Sequence, residues 1–184
     1  VGHRGPNYGG QDIAEILVYE GILSDADRQA VYAYLYDKWF STPEGFDAGP
    51  VDVAQARLLF WVDASDLSTI TKDSGNLVSE WNDKTGRGHD AESSGNARPT
   101  YVPSRADLFD RPVISFDGSD DILTFADVTV ENQAVFAVAS DNGGSGHHLL
   151  IGGGSDAIAP QWSGIENFVY AASDGEDAAE ATIT

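Results

Sequence analysis

Residues 11 to 20 read QDIAEILVYE, an apolar run with β-branched residues and Tyr19, set between Gly10 and Gly21. Strict alternation would mark a strand with one wet face, whereas a short continuous run bounded by turn residues favours a strand buried on both faces. A helix follows at once. Ser24 stands three residues before Asp27, a capping-box-like start in which Asp25 and Asp27 also suit the positive end of a helix. Val31, Leu35 and Trp39 recur at four-residue spacing with Tyr34 alongside, and Thr42-Pro43 stops the pattern. The spacing predicts a helix over 24–40 with a single apolar stripe, and that stripe requires a complementary face.

Residues 41–56, STPEGFDAGPVDVAQA, lose periodicity and carry Pro43, Gly45, Gly49 and Pro50, the composition of an extended linker. Beyond it the pattern changes to short strands separated by turns. Strands are expected near 58–62, 78–82, 112–117, 121–126, 133–140, 148–152 and 167–172, with the acidic stretch 173–180 as a turn. Asp117-Gly118-Ser119-Asp120 reads as a hairpin joining the third and fourth of these, with Gly118 at positive φ. Many short strands, Gly-rich turns and one helix indicate an all-β, antiparallel β-sandwich with the helix at 24–40.

Thirty acids against ten bases leave a formal charge of -20 over 184 residues. Nucleic acid is excluded as a partner because phosphate binding rests on Lys and Arg. No apolar run reaches the roughly 18 residues that a bilayer-spanning helix needs, so no direct membrane insertion is expected. Cysteine is absent, which removes disulfides, thiolate metal sites and thiol nucleophiles. The chain begins at Val1, contains no methionine and lacks a charged-then-apolar leader, and it is read as a piece of a longer protein.

Two stretches carry a resemblance to a known family, in inverted order. GGQDIAEILVYEGILSDADRQAVYAYLYDKWF at 9–40 is similar to the close of a concanavalin A-like (LamG-type) lectin/glucanase domain. The stretch from LLFWVDASD to FDGSDDILTF at 58–125 resembles the opening of one. The resemblance implies a jelly roll divided as the C-terminal strand and helix of one repeat (1–40), a linker (41–56) and the N-terminal part of the next repeat (57–184). Trp61, Trp81, Phe116 and Phe125 match positions that pack the family's core. Middle strands of the domain are missing, so residues 9–40 are expected to dock on a sheet, either that of 57–184 in the same chain or that of a neighbouring copy by self-association.

Candidate site residues come from the turns. Carboxylates and carbonyls suit calcium, and the acid-rich turns at Asp63/Asp66, Asp117/Asp120/Asp121 and Asp141/Asn142 offer them without EF-hand spacing. The metal set proposed is Asp117, Asp120, Asp121 and Asp141. In the Gly-rich segment 140–156, Asn142 and His147 offer hydrogen bonds, and Trp162 offers a stacking face for a sugar ring. His89-Asp90 reads as solvated loop. No E-x-D-x-x-E pair for glycan hydrolysis and no G-x-S-x-G elbow occurs, so no catalytic residue is assigned and no enzyme is expected. Glu15 is the only acid within the apolar stretch 13–19 of the strand. The resulting expectation is a secreted or cell-surface, non-catalytic module that binds a glycan or a neighbouring repeat; the alternatives are a structural repeat of a filament or an accessory module of a larger enzyme.

Overall fold

A computed structural model describes residues 10–40, 55–108, 110–126, 133–143, 146–147, 161–162, 168–173 and 179–182. Side chains beyond Ser140 lie outside the description, as do those of Asp107 and Phe109. In chain order the elements are β1 (Gly10–Glu20), α1 (Asp25–Phe40), β2 (Leu58–Asp63), β3 (Ile70–Lys72), β4 (Val78–Trp81), β5 (Ala91–Glu92) and β6 (Thr100–Arg105). They continue with β7 (Arg111–Phe116), β8 (Gln133–Gly143), β9 (Gly146–His147), β10 (Gln161–Trp162), β11 (Phe168–Ser173) and β12 (Ala179–Thr182). The described chain is thus mostly β, in antiparallel sheets, with one α-helix.

The largest sheet runs β12-β11-β8-β1-β7-β6, with β2 also paired to β1. β1 lies at its centre. Along one edge it pairs with β8 from Gly10 to Glu20; along the other it pairs with β7 over Gln11 to Ile13 and then with β2 from Glu15 to Tyr19. The docking expected for residues 9–40 therefore takes place on strands of the same chain. Every residue of β1 except Glu20 is buried, the both-faces burial that its unbroken apolar run predicts.

Two cores form on the two faces of this sheet. On one face Ile13, Ile16, Val18, Phe60, Ile114 and Val135 meet Ile70, Val78, Trp81 and Ala91 from a second sheet of order β3-β4-β5. On the other, Ala14, Leu17, Tyr19, Val113 and Phe136 meet Val31, Tyr34, Leu35 and Trp39 of α1. The helical stripe thus finds its complement, and Trp39 is fully buried. Ile13 and Ile16 share one core despite an odd spacing because a β-bulge intervenes. Ile13 pairs with Ala139 and Glu15 with Val138, leaving Ala14 as the extra residue. The Ala14 carbonyl, displaced from the ladder, accepts instead from the Ala64 N–H at 2.8 Å.

Local signals set the start of α1. Asp27 N–H donates to Ser24 Oγ at 3.2 Å, an N-cap bond, and Ser24 Oγ–H donates to Asp27 Oδ2 at 2.7 Å. Gly21 enters the turn before it at φ +70, where an L side chain is strained.

Several expectations are corrected. Residues 121–126 do not form a strand hairpinned to 112–117. Gly118 has the expected positive φ of 75, but the turn sends the chain across to the smaller sheet, where Thr124 bridges Glu92 and the Ile122 N–H donates to the Ala97 carbonyl. Residues 179–182, the first two of which were assigned to an acidic turn, form β12 beside β11. The sequence pattern does not predict β3, β5, β6, β9 or β10, which are short or, in β6, interrupted by Pro103, which an edge strand accommodates. The strand expected at 148–152 and residues 41–54 of the linker lie outside the described residues. Among the described residues, no helix is long and apolar enough to cross a membrane.

Candidate functional site

Glu15 follows the bulge residue on β1 and is fully buried on the helix side of the sheet. An isolated carboxylate there would carry a prohibitive desolvation cost unless it were paired and hydrogen-bonded. Four donors meet it. Oε1 accepts from Tyr34 Oη at 2.7 Å and Trp61 Nε1 at 2.7 Å; Oε2 accepts from Trp39 Nε1 at 2.6 Å and Lys38 Nζ at 2.9 Å. Helical spacing explains the α1 contribution, since Tyr34 and Lys38 are one turn apart and Trp39 is adjacent. Four donors on its two oxygens favour the ionised carboxylate, and the Tyr34 hydroxyl that donates to it accepts in turn from Lys38 Nζ at 3.1 Å.

The same ammonium continues the chain of charges. Lys38 Nζ is 2.7 Å from Asp63 Oδ2, Lys84 Nζ is 2.9 Å from the same oxygen, and Lys84 reaches Asp66 Oδ2 at 3.0 Å. Asp63 Oδ1 accepts from the Ser65 N–H at 2.9 Å and the Ser65 hydroxyl at 2.6 Å. Acid and base therefore alternate from Glu15 through Lys38, Asp63 and Lys84 to Asp66. Burial pushes the Glu15 carboxyl above its ordinary value against the pull of Lys38. Burial also works to raise Asp63, but Lys38, Ser65 and Lys84 overcome it and hold the carboxyl below its ordinary value. Burial, together with the charge of Glu15, raises the Tyr34 hydroxyl strongly, so it remains a donor.

Lys84 belongs to the loop 82–90, whose polar residues seal the open edge of β2. Asp83 Oδ1 accepts from the Trp61 N–H at 3.0 Å, the Lys84 N–H donates to the Trp61 carbonyl at 2.8 Å, and Arg87 Nε donates to the Leu58 carbonyl at 2.9 Å. Unpaired edge groups are thereby satisfied within the chain. Trp81 and Phe116 are core residues as expected, and Phe125 packs against that core by stacking on Phe60 with centroids 4.5 Å apart. Trp61, expected only as core packing, is partly exposed and donates to Glu15. Asp63 and Asp66, considered as calcium ligands, are engaged by lysines.

The acidic turn after β7 brings together three of the four predicted metal residues. Ligand oxygens of Asp117, Asp120 and Asp121 lie within 4.8 Å of one another, and the cluster could hold a metal ion. Asp117 Oδ1 already accepts from the Ser119 and Asp120 N–H groups, and Asp121 Oδ2 accepts from the Asp117 N–H at 2.9 Å. The remaining oxygens are hard donors of the kind calcium takes, but fewer than its six to eight ligands, so backbone carbonyls or water would complete the shell. Burial, together with the charges of Asp117 and Asp120, pushes Asp121 up to about 6.

The other predicted residues are placed by backbone alone. Asp141 and Asn142 lie near the end of β8, His147 in β9 opposite Gln161, and Trp162 in β10 opposite Gly146. Gln11 of β1 pairs with Phe116 on one side and Asp141 on the other. β7 and β8 both run antiparallel to β1, so they leave the sheet at the same end. The acidic turn and the segment carrying Asn142 and His147 begin there. No family model, curated protein or solved structure matches the chain.

Proposed function

We propose that this chain is a non-catalytic, extracellular recognition module of the concanavalin A-like jelly-roll class. In this reading it uses the sheet end beyond Phe116 and Asp141 to bind a glycan, with calcium held at Asp117, Asp120 and Asp121 beside it. The observation that supports this most is the register just described: the acidic turn and the Asn142–His147 segment leave from strands flanking β1, about 10 Å apart at the usual strand spacing. Calcium in such a turn would order the rim on which Asn142, His147 and Trp162 meet a sugar. The fully buried Glu15, saturated by four donors, has the environment of a structural group and not of a glycosidase acid facing a groove. A formal net charge of -20 suits a protein kept soluble at the ionic strength outside cells.

A glycan array probed with the purified chain in calcium and in chelator tests this reading. Binding to a defined sugar class in calcium, lost in chelator and on Trp162→Ala, is the expected result. Absence of binding across the array by a folded chain in calcium would refute it, and sugar hydrolysis abolished by Glu15→Gln would replace it with an enzyme.

A further inference from the structure

Lys38 is an ammonium held between two carboxylates, those of Asp63 and Glu15, in a site from which water is largely excluded. Its side chain is 14% exposed, that of Asp63 4% and that of Glu15 0%. Nζ lies 2.7 Å from Asp63 Oδ2 and 2.9 Å from Glu15 Oε2, and 5.1 Å and 5.4 Å from the ring centroids of Trp39 and Tyr34. We propose that Lys38 and Asp63 condense to an intramolecular isopeptide bond, with Glu15 as the proton-transfer residue, fastening helix α1 covalently to strand β2.

The three groups divide the chemistry among them. Nucleophilic catalysis by lysine requires a desolvated amine beside a proton acceptor, which Glu15 supplies. The electrophile is Asp63, not Glu15. The Ser65 N–H and hydroxyl both point at Asp63 Oδ1, where charge develops when its carbon becomes tetrahedral. In contrast, the Glu15 oxygens are pinned by two indoles and a phenol. Fixing the partners on β1, β2 and α1 replaces an encounter in solution, a gain that reaches effective molarities of about 10⁵–10⁸ M in well-oriented intramolecular reactions.

The step balances without a co-reactant. The Lys38 ammonium passes one proton to Asp63 Oδ2, leaving a neutral amine and a carboxylic acid. The amine attacks the Asp63 carboxyl carbon, forming the C–N bond and an oxyanion at Oδ1. Glu15 takes a proton from the now positive nitrogen and returns it to the Oδ2 hydroxyl, the C–O bond breaks and water leaves. The amide keeps one of the three ammonium protons, water carries two, Glu15 regains its charge and no atom changes oxidation state.

Two buried opposite charges become one neutral amide, relieving the desolvation that makes a buried ion pair costly, and the expelled water escapes to solvent. Lys38 and Lys84 hold Asp63 ionised in the resting pair, so the condensation is a slow event that occurs once per molecule. It stands independently of the glycan reading.

Denaturing intact-mass spectrometry of the purified full-length chain tests the proposal. The wild type is expected to be lighter than its sequence mass by one water, with a proteolytic fragment that joins the Lys38 and Asp63 peptides. Glu15→Gln, Lys38→Arg and Asp63→Ala are expected at their full sequence masses, with circular dichroism confirming which of them fold. A folded wild type that retains its full sequence mass after prolonged incubation overturns the proposal, whatever the variants do. A fragment joined through Lys84 or through Glu15 overturns the residue assignment.

Discussion

Glu15 on β1 and Asp63 on β2 are direct cross-strand partners, two acids at one rung of a buried ladder, and Lys38 reaches both. Like charges directly opposite each other destabilise a strand pair, so this rung depends on a cation supplied from another element. The helix does more than cover the sheet with its apolar stripe. It neutralises the sheet's interior.

In the chain in which Lys38 and Asp63 have not condensed, Lys38→Met removes that cation while keeping most of the apolar stem. Leaving a buried charge without its partner typically costs about 3–5 kcal/mol. The variant is expected to lose stability in that range at pH 7, measured by urea denaturation with an unchanged slope. A loss under about 1 kcal/mol would show that the ladder is neutralised from elsewhere.

Tyr34→Phe deletes one donor to the Glu15 carboxylate and almost no volume. Hydrogen bonds to charged groups contribute about 1.5–3 kcal/mol, and that is the expected destabilisation. Because Tyr34 and Lys38 serve the same carboxylate, the double variant is expected to depart from additivity by more than about 0.5 kcal/mol. Additive costs would mean that the donors act independently.

Asp121→Asn keeps the acceptor for the Asp117 N–H but cannot ionise. The folded carboxyl is pushed up to about 6 from an ordinary 3.8. A raised folded value means that the group's contribution is present at low pH and is lost as pH rises through about 6. The substitution is therefore expected to raise the melting temperature at pH 7 and leave it nearly unchanged at pH 3.5. Calcium, by neutralising the same charges, is expected to raise the wild-type melting temperature at pH 7 and to act less on the variant. Equal shifts at both pH values would contradict the assignment.

Gly21→Ala combines two penalties. The residue has φ +70, and a Cβ there would lie 2.7 Å from the Arg57 terminal nitrogen that donates to the Glu20 and Ile22 carbonyls. Destabilisation of at least about 1 kcal/mol is expected by thermal or chemical denaturation, since alanine at positive φ reverses its usual entropic advantage. A neutral outcome would mean that the turn and the Arg57 clamp relax together.

What the sequence determined by itself was local. A glycine-bounded apolar run specified a strand buried on both faces; Ser24 marked the start of α1; and the four-residue stripe identified the helix face that would be covered. Each is legible because the signal and the structure lie within a few residues of each other. The acidic turn at 117–121 was legible for the same reason, as carboxylates that close in sequence meet without help from the fold. Tertiary structure alone decided where the chain goes after Gly118, because a positive φ permits a turn without choosing the sheet that receives the next segment. It also decided that three residues as short as β3 would be a strand, since pairing with β4 supplies what local propensity lacks. Above all it decided the use of Glu15. In sequence that residue is the one acid of the stretch 13–19, 23 residues from Lys38 and 46 from Trp61. A bulge at Ala14, two strands and a helix bring its partners within hydrogen-bond distance, and only burial among them makes the encounter of those charges decisive.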